Sequence, residues 1–257
     1  MKKILILLLL VLIFTAVTAN ADFLQDQKKY SRVSDAIKEK GETVKNKLKE
    51  KEIEVDDVNI IIVAYKAEDK LEIYSRAKND SEYKFLIEYD ICKKSGELGP
   101  KRKQGDYQVP EGFYYIEHFN PSSQFHLSLK INYPNQSDRK KGTAGKLGGD
   151  IFIHGACCTI GCIPMTDEKI KEIYLYAVYA KNNGQEKVPV YIFPFKMTDE
   201  NFKKYKETYK TNSELISFWA NLKTGYDRFI KDKKELKFTV DNKGDYIFPE
   251  PEQQIED

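Results

Sequence analysis

Two residues in this chain have the types and spacing for thiol chemistry: His154 and, eight positions later, Cys162, within IFIHGACCTIGCIPMTD. A cysteine is a poor nucleophile as a thiol and a good one as a thiolate, so it needs a base beside it. Histidine is the usual base, because its ordinary pKa lies close to neutrality. Attack on a carbonyl also creates an oxyanion, which backbone N–H groups at a tight turn stabilise with little reorganisation. Glycines stand where such a turn would need them, Gly155 after the histidine and Gly161 before the cysteine. The bland alternatives are a structural histidine beside a buried thiol, or a zinc set of Cys157, Cys158, Cys162 and His154. The spacing is not that of a CxxC knuckle, and such a site would consume the base. No metal or other cofactor is expected.

The same stretch resembles the active-site motif of the L,D-transpeptidase catalytic domain (YkuD-type) family, in the subgroup with a short His-Gly…Gly-Cys-x-x-Met-Thr-Asp motif. The resemblance implies that Cys162 is the nucleophile and His154 the general base, with Thr159 and Gly161 the motif's hydroxyl residue and glycine. It implies an oxyanion hole from the N–H groups of Gly161 and Cys162, and a histidine oriented by a backbone carbonyl. VPEGFYYI, Val109 to Ile116, matches the family's Thr-Pro-x-Gly-x-aromatic signature in part, with Val109 in place of threonine. Pro164 stands where many members carry arginine or asparagine. The implied activity is acyl transfer from peptidoglycan stem peptides through a thioester. The alternative is a hydrolase of the same fold, an L,D-carboxypeptidase or an amidase releasing a wall-attached protein. The implied partners are stem peptides and a wall-attached lipoprotein. The implied fold is α+β, a predominantly β catalytic domain (sandwich or barrel) with helical additions at both ends.

The rest of the chain is consistent with export. Lys2 and Lys3 precede an apolar run from Ile4 to Val17, and Ala19-Asn20-Ala21 is a small-x-small cleavage site. That is a signal peptide, too short for the roughly 20 residues of a membrane span. No cysteine follows the site to take a lipid, so we expect a chain free of the membrane in the periplasm or cell wall. The whole sequence has 42 basic and 40 acidic side chains. The signal peptide holds two of the lysines and no acid, so the remainder is balanced at 40 of each. Nucleic-acid binding, which asks for a clustered basic field, is not indicated. Of the four cysteines, Cys92 stands apart, and one bridge from it to Cys157 or Cys158 is geometrically open.

The elements that must position the pair follow from periodicity. Phe23 to Glu54 reads as amphipathic helix divided at Gly41, packed on the domain. Val58–Tyr65, Leu71–Ser75 and Tyr83–Cys92 read as strands, as do Phe113–Ile116 and Phe125–Tyr133. On the last of these, Phe125, Leu127, Leu129 and Ile131 face one way and His126, Ser128 and Lys130 the other. If that second face lines the cleft, His126 and Ser128 touch substrate, with Thr159 beside the thiol. Arg139 could pair with a substrate carboxylate, for which a guanidinium suits. Thr166-Asp167-Glu168 starts a helix whose positive end could lower the thiol pKa. Val188–Phe195 reads as an edge strand because of Pro189 and Pro194. Helices follow from Thr198, with an apolar stripe of Leu215, Phe218, Trp219 and Leu222, and an acidic tail runs from Pro249. The expected organisation is signal peptide 1–21, helical segment 22–57, catalytic domain 58–196 and helical extension 197–257.

Overall fold

The computed structural model describes residues 23–249; the expected signal peptide over 1–21 and the expected acidic tail beyond Pro249 lie outside them. Two helices, α1 (Phe23–Lys28) and α2 (Ser31–Lys49), lead into strands β1 (Val58–Tyr65), β2 (Lys70–Ala77) and β3 (Lys84–Asp90). Then come β4 (Gly112–Asn120), β5 (Ser128–Ile131), α3 (Gln136–Lys141), β6 (Phe152–His154) and β7 (Ile163–Pro164). Helix α4 (Asp167–Asn182), β8 (Pro189–Phe193), α5 (Asp199–Thr208) and α6 (Ser213–Asp232) follow, and β9 (Thr239–Val240) and β10 (Tyr246–Ile247) close a small hairpin. The mixed α+β architecture is the expected one.

Eight strands form one sheet in the order β3-β2-β1-β8-β4-β5-β6-β7. The pairs β1–β8 and β6–β7 are parallel and the others antiparallel. The sheet curls until its ends meet. The N–H of Cys92, just past β3, donates to the carbonyl of Pro164 in β7 at 3.0 Å. A disulfide joins Cys92 to Cys157 across a Cα separation of 5.6 Å.

Both faces of the central strands are apolar, and period-2 alternation sorts them into two cores. Along β1, Ile60, Ile62 and Ala64 join the core under α2 and α4, while Ile61, Val63 and Tyr65 join the core under α6. Helix α4 is buried on nearly every side, capped by the Thr166 hydroxyl, which accepts from the Lys169 amide at 3.3 Å. The expected stripe on α6 buries Phe218, Trp219 and Leu222 against Phe193, Phe195 and Phe113.

Two readings need correction. Gly41 does not divide the first helix; the break falls at Lys29-Tyr30, and Gly41 lies buried inside α2. A Cβ there would lie 3.6 Å from the Ile37 side chain and 3.9 Å from the Tyr179 hydroxyl, so the glycine marks the close approach of α2 to α4. Likewise β8 is no edge strand: it is paired on both sides, with β1 and β4. Its prolines sit at the first residue and just past the last, where a missing N–H spares the middle of the ladder.

Candidate active site

His154 ends β6 and Cys162 immediately precedes β7, its parallel neighbour. The register pairs Ile153 with Ile163 and His154 with Pro164, so Cys162 stands beside Phe152. Residues two apart on a strand share a face, which puts Cys162 and His154 on the same side of the sheet. Strand spacing and rise place their Cα atoms roughly 8 Å apart. The eight residues 155–162 connect these adjacent strands, with His154 just before them and Cys162 the last of them.

That connection is tied at each step. The His154 carbonyl accepts from the Met165 amide at 2.6 Å. The Gly155 amide donates to the carbonyls of Phe125 (3.0 Å) and Leu127 (3.2 Å). The Ala156 amide donates to the Asp167 carboxylate at 2.8 Å, at the start of α4. A Cβ on Gly155 would come within 2.5 Å of that carboxylate and 2.9 Å of the Phe125 carbonyl. Gly161 has φ +136°, a conformation that side chains resist, and packs its backbone against the Gln108 carbonyl. The Thr159 hydroxyl donates to the Cys162 carbonyl at 2.8 Å and accepts from the Gly161 amide at 3.0 Å. Thr159 therefore holds the turn before Cys162 from within, and the Gly161 amide, expected to face an oxyanion, is engaged by it.

The His154 ring is nearly fully buried, and its Nδ1 lies 2.5 Å from the Gly155 carbonyl. A carbonyl only accepts, so Nδ1 carries the proton and Nε2 keeps its lone pair. Burial pushes the His154 pKa below its ordinary value, and the Gly155 carbonyl opposes that shift. The Cys162 thiol donates to the Asp150 carbonyl at 3.6 Å. Its pKa is raised, first by burial, which outweighs the opposing Phe152 amide and the distant Lys101 charge. The positive end of α4, expected to lower it, is capped instead by the Thr166 hydroxyl, which accepts from the Lys169 amide. Both shifts favour the neutral forms of His154 and Cys162.

Cys162 opens into a cleft of about 300 Å³. Its walls come from the loop after β3 (Ile91, Lys93 to Leu98), the ends of β1 and β8, Tyr205 of α5 and Tyr209 just past it. Ser128 is buried and pairs directly opposite His154 across β5–β6, so it faces the same side. His126 precedes β5 rather than lying on it, with φ +68°, its Nε2 buried without a hydrogen-bond partner. It does not line the cleft; its Cβ flanks Gly155. Arg139 is not brought to the site. It is exposed on α3, a helix held to the β9–β10 hairpin by Ser137–Gly244, Lys140–Asp241 and Lys141–Asp245 contacts. Of the cysteines, Cys157 takes the bridge and Cys158 and Cys162 remain free, which leaves the three-thiol zinc set one ligand short.

Several residues near the thiol carry no local signal. Lys66, at the cleft, donates to the carbonyls of Gly99 (2.7 Å) and Val109 (3.0 Å) and to the Glu111 carboxylate (2.9 Å). Glu111, fully buried, also accepts from the Gly99 amide at 2.7 Å and the Trp219 Nε1 at 2.8 Å. This fully satisfied network ties β1, α6 and the 99–111 loop together, and the loop's Gln108 carbonyl is what Gly161 packs on. No spacing in the chain links Lys66, Glu111 and Trp219. Phe125, expected on the strand beside Leu127, lies instead in the turn before β5, its ring 4.7 Å from the imidazole of His154 at an interplanar angle of 33°.

A curled mixed sheet carrying histidine and cysteine on neighbouring parallel strands defines a class, and comparison with known proteins gives the family. The family model for the L,D-transpeptidase catalytic domain (YkuD) matches residues 59–192. The chain belongs to this family. It is 40% identical over 194 residues to the Escherichia coli K12 protein named "Putative L,D-transpeptidase YafK", covering 75% of this chain and 74% of that one. Among solved structures it is similar to the helical cell shape determining protein Pgp2 of Campylobacter jejuni, with 22% identity and a TM-score of 0.43 over 72% of this chain and 74% of that one. It is also similar to Bd1075 of Bdellovibrio bacteriovorus, with 23% identity and a TM-score of 0.40 over 54% and 48% of the two chains. No helix among the described residues is long and apolar enough to cross a membrane.

Proposed function

We propose that this protein is an exported cysteine acyltransferase that acts on peptidoglycan stem peptides through a thioester on Cys162. The observation that supports this reading best is the pairing of a free thiol at a cleft with a neutral histidine on the same face, its Nδ1 proton bound by the Gly155 carbonyl. With Nδ1 so bound, Nε2 is the atom that accepts a proton. The resting thiol sits on the Asp150 carbonyl, and attack requires the sulfur to leave that carbonyl for Nε2. Such catalytic contacts commonly tighten only when substrate is bound.

In the proposed reaction the sulfur attacks a stem-peptide carbonyl while Nε2 takes the thiol proton. The Cys162 amide donates to the developing oxyanion, and the Gly161 amide joins it only by exchanging its bond to Thr159. The imidazolium returns the proton to the departing amine, leaving the thioester. An incoming amine then gives a crosslink or a protein attachment, and water gives hydrolysis. The test is incubation of the pure protein with defined muropeptides and mass analysis of products. New crosslinked or trimmed species are expected from wild type and none from Cys162→Ala or His154→Ala. Turnover retained by Cys162→Ala refutes the assignment. A carbapenem is expected to add its mass at Cys162 and not at exposed Cys158.

A further inference from the structure

The N-terminal helix reaches the proposed base through one side chain. Arg32, in the first turn of α2 and half-buried, donates from a single guanidinium nitrogen to two carbonyls of the turn before β5. One is that of Ser123 and the other that of His126, the latter at 2.7 Å. Inside the turn the Phe125 amide donates to the Ser123 hydroxyl at 3.0 Å. From the opposite side the Gly155 amide holds the Phe125 and Leu127 carbonyls. The turn is thus clamped between an arginine of the helical segment and the residue following His154. It carries two costs: His126 at φ +68°, and a Phe125 ring left 41% exposed to water on its outer side. What the clamp secures is the inner side, where the ring lies against the imidazole.

We propose that Arg32 is a positioning residue for His154: by fixing the Ser123–His126 turn it keeps the Phe125 ring seated on the imidazole, which shields the base from water and holds its bond to the Gly155 carbonyl. This rests on the reading of His154 as the base. It makes the N-terminal helix part of the reaction site instead of an accessory. The titratable groups facing this corner are Cys162 across β7, His126 in the turn and Asp167 at the start of α4. Lys171, Glu39 and Arg32 itself act on His126. None of these charges acts on His154, whose proton affinity is set by burial and the Gly155 carbonyl alone. Loosening the ring should therefore rehydrate the imidazole and raise its pKa.

The chain has three histidines, so imidazole titration by NMR is readily assigned. Arg32→Ala and Phe125→Leu are expected to raise the His154 midpoint by about 0.5–1 unit, the scale of a partial loss of burial. Arg32→Lys, which keeps a cation with several donors, is expected to recover most of the shift. Carbapenem acylation of Arg32→Ala should be slowed more at pH 6 than at pH 8, because a higher imidazole pKa depletes the neutral base at the lower pH. An unchanged His154 midpoint in folded Arg32→Ala overturns the proposal, even if the melting temperature falls. Should that variant not fold, an unchanged midpoint in Phe125→Leu overturns it equally. A midpoint shift in a protein whose wild type shows no acyl transfer leaves the clamp standing and refutes the functional reading.

Discussion

Glu111→Gln tests whether the buried ion pair beneath the cleft holds the site together. Glu111 is fully buried and Lys66 nearly so, at 2.9 Å. The carboxylate also accepts from Gly99 and Trp219, and Lys66 spends its remaining donors on two carbonyls. Gln fills the same space but has one acceptor oxygen, and its NH₂ must then face a donor. Wherever the amide turns, one buried donor loses its acceptor and the lysine loses its countercharge. Breaking a buried pair in this one-sided way costs about 3–5 kcal/mol. For a protein of this size that is a fall in melting temperature of roughly 6–20 °C. The assay is urea unfolding with thermal melting, alongside the rate of Cys162 alkylation read by mass spectrometry. The rate belongs in the test because the 99–111 loop, released from Lys66 and Trp219, no longer presents Gln108 to Gly161. A loss below about 1 kcal/mol, within the range of an exposed pair, refutes the reasoning. So does a large loss of stability with unchanged Cys162 reactivity, which would separate the network from the site.

Thr159→Val keeps the shape of the side chain and removes two hydrogen bonds, at about 1 kcal/mol each. We expect about 1–3 kcal/mol of destabilisation and slower carbapenem acylation, with Thr159→Ser close to wild type; equal rates for Val and Ser would assign Thr159 no part in the turn. Removing the bridge by Cys92→Ser opens a 65-residue closure, worth about 4 kcal/mol on loop entropy. Because Cys92 borders the cleft-wall loop and Cys157 lies in the turn between His154 and Cys162, acylation of Cys162 should slow as well, and a variant unchanged in both respects contradicts this. His154 binds its proton less readily folded than unfolded. Its contribution to stability is therefore present above the unfolded value near 6.5 and is lost as pH falls through the folded one. Below pH 6.5 wild type should lose stability that His154→Gln retains, and parallel melting curves for the two would exclude a buried neutral imidazole.

The sequence by itself determined what depends on near neighbours. His154 and Cys162 could be paired on paper because they stand eight positions apart, and two glycines and a threonine between them announce a tight turn. Most strands and the caps at Thr166 and Thr198 were readable because alternation and capping act over a few residues. His126 escaped the same reading: alternation carried the strand through it, while Arg32 and Gly155, distant in the chain, pull it into a turn. Pro189 and Pro194 suggested an edge because the sequence shows the missing donors but not that both fall at strand ends. Only the tertiary structure chose Cys157 over Cys158 for the bridge, sent Arg139 to the β9–β10 hairpin, and brought Lys66, Glu111 and Trp219 to one point. Those contacts join segments up to 108 residues apart. Which segments meet is decided by how the sheet curls and which core each face joins, a property of the packed chain as a whole that no local pattern encodes.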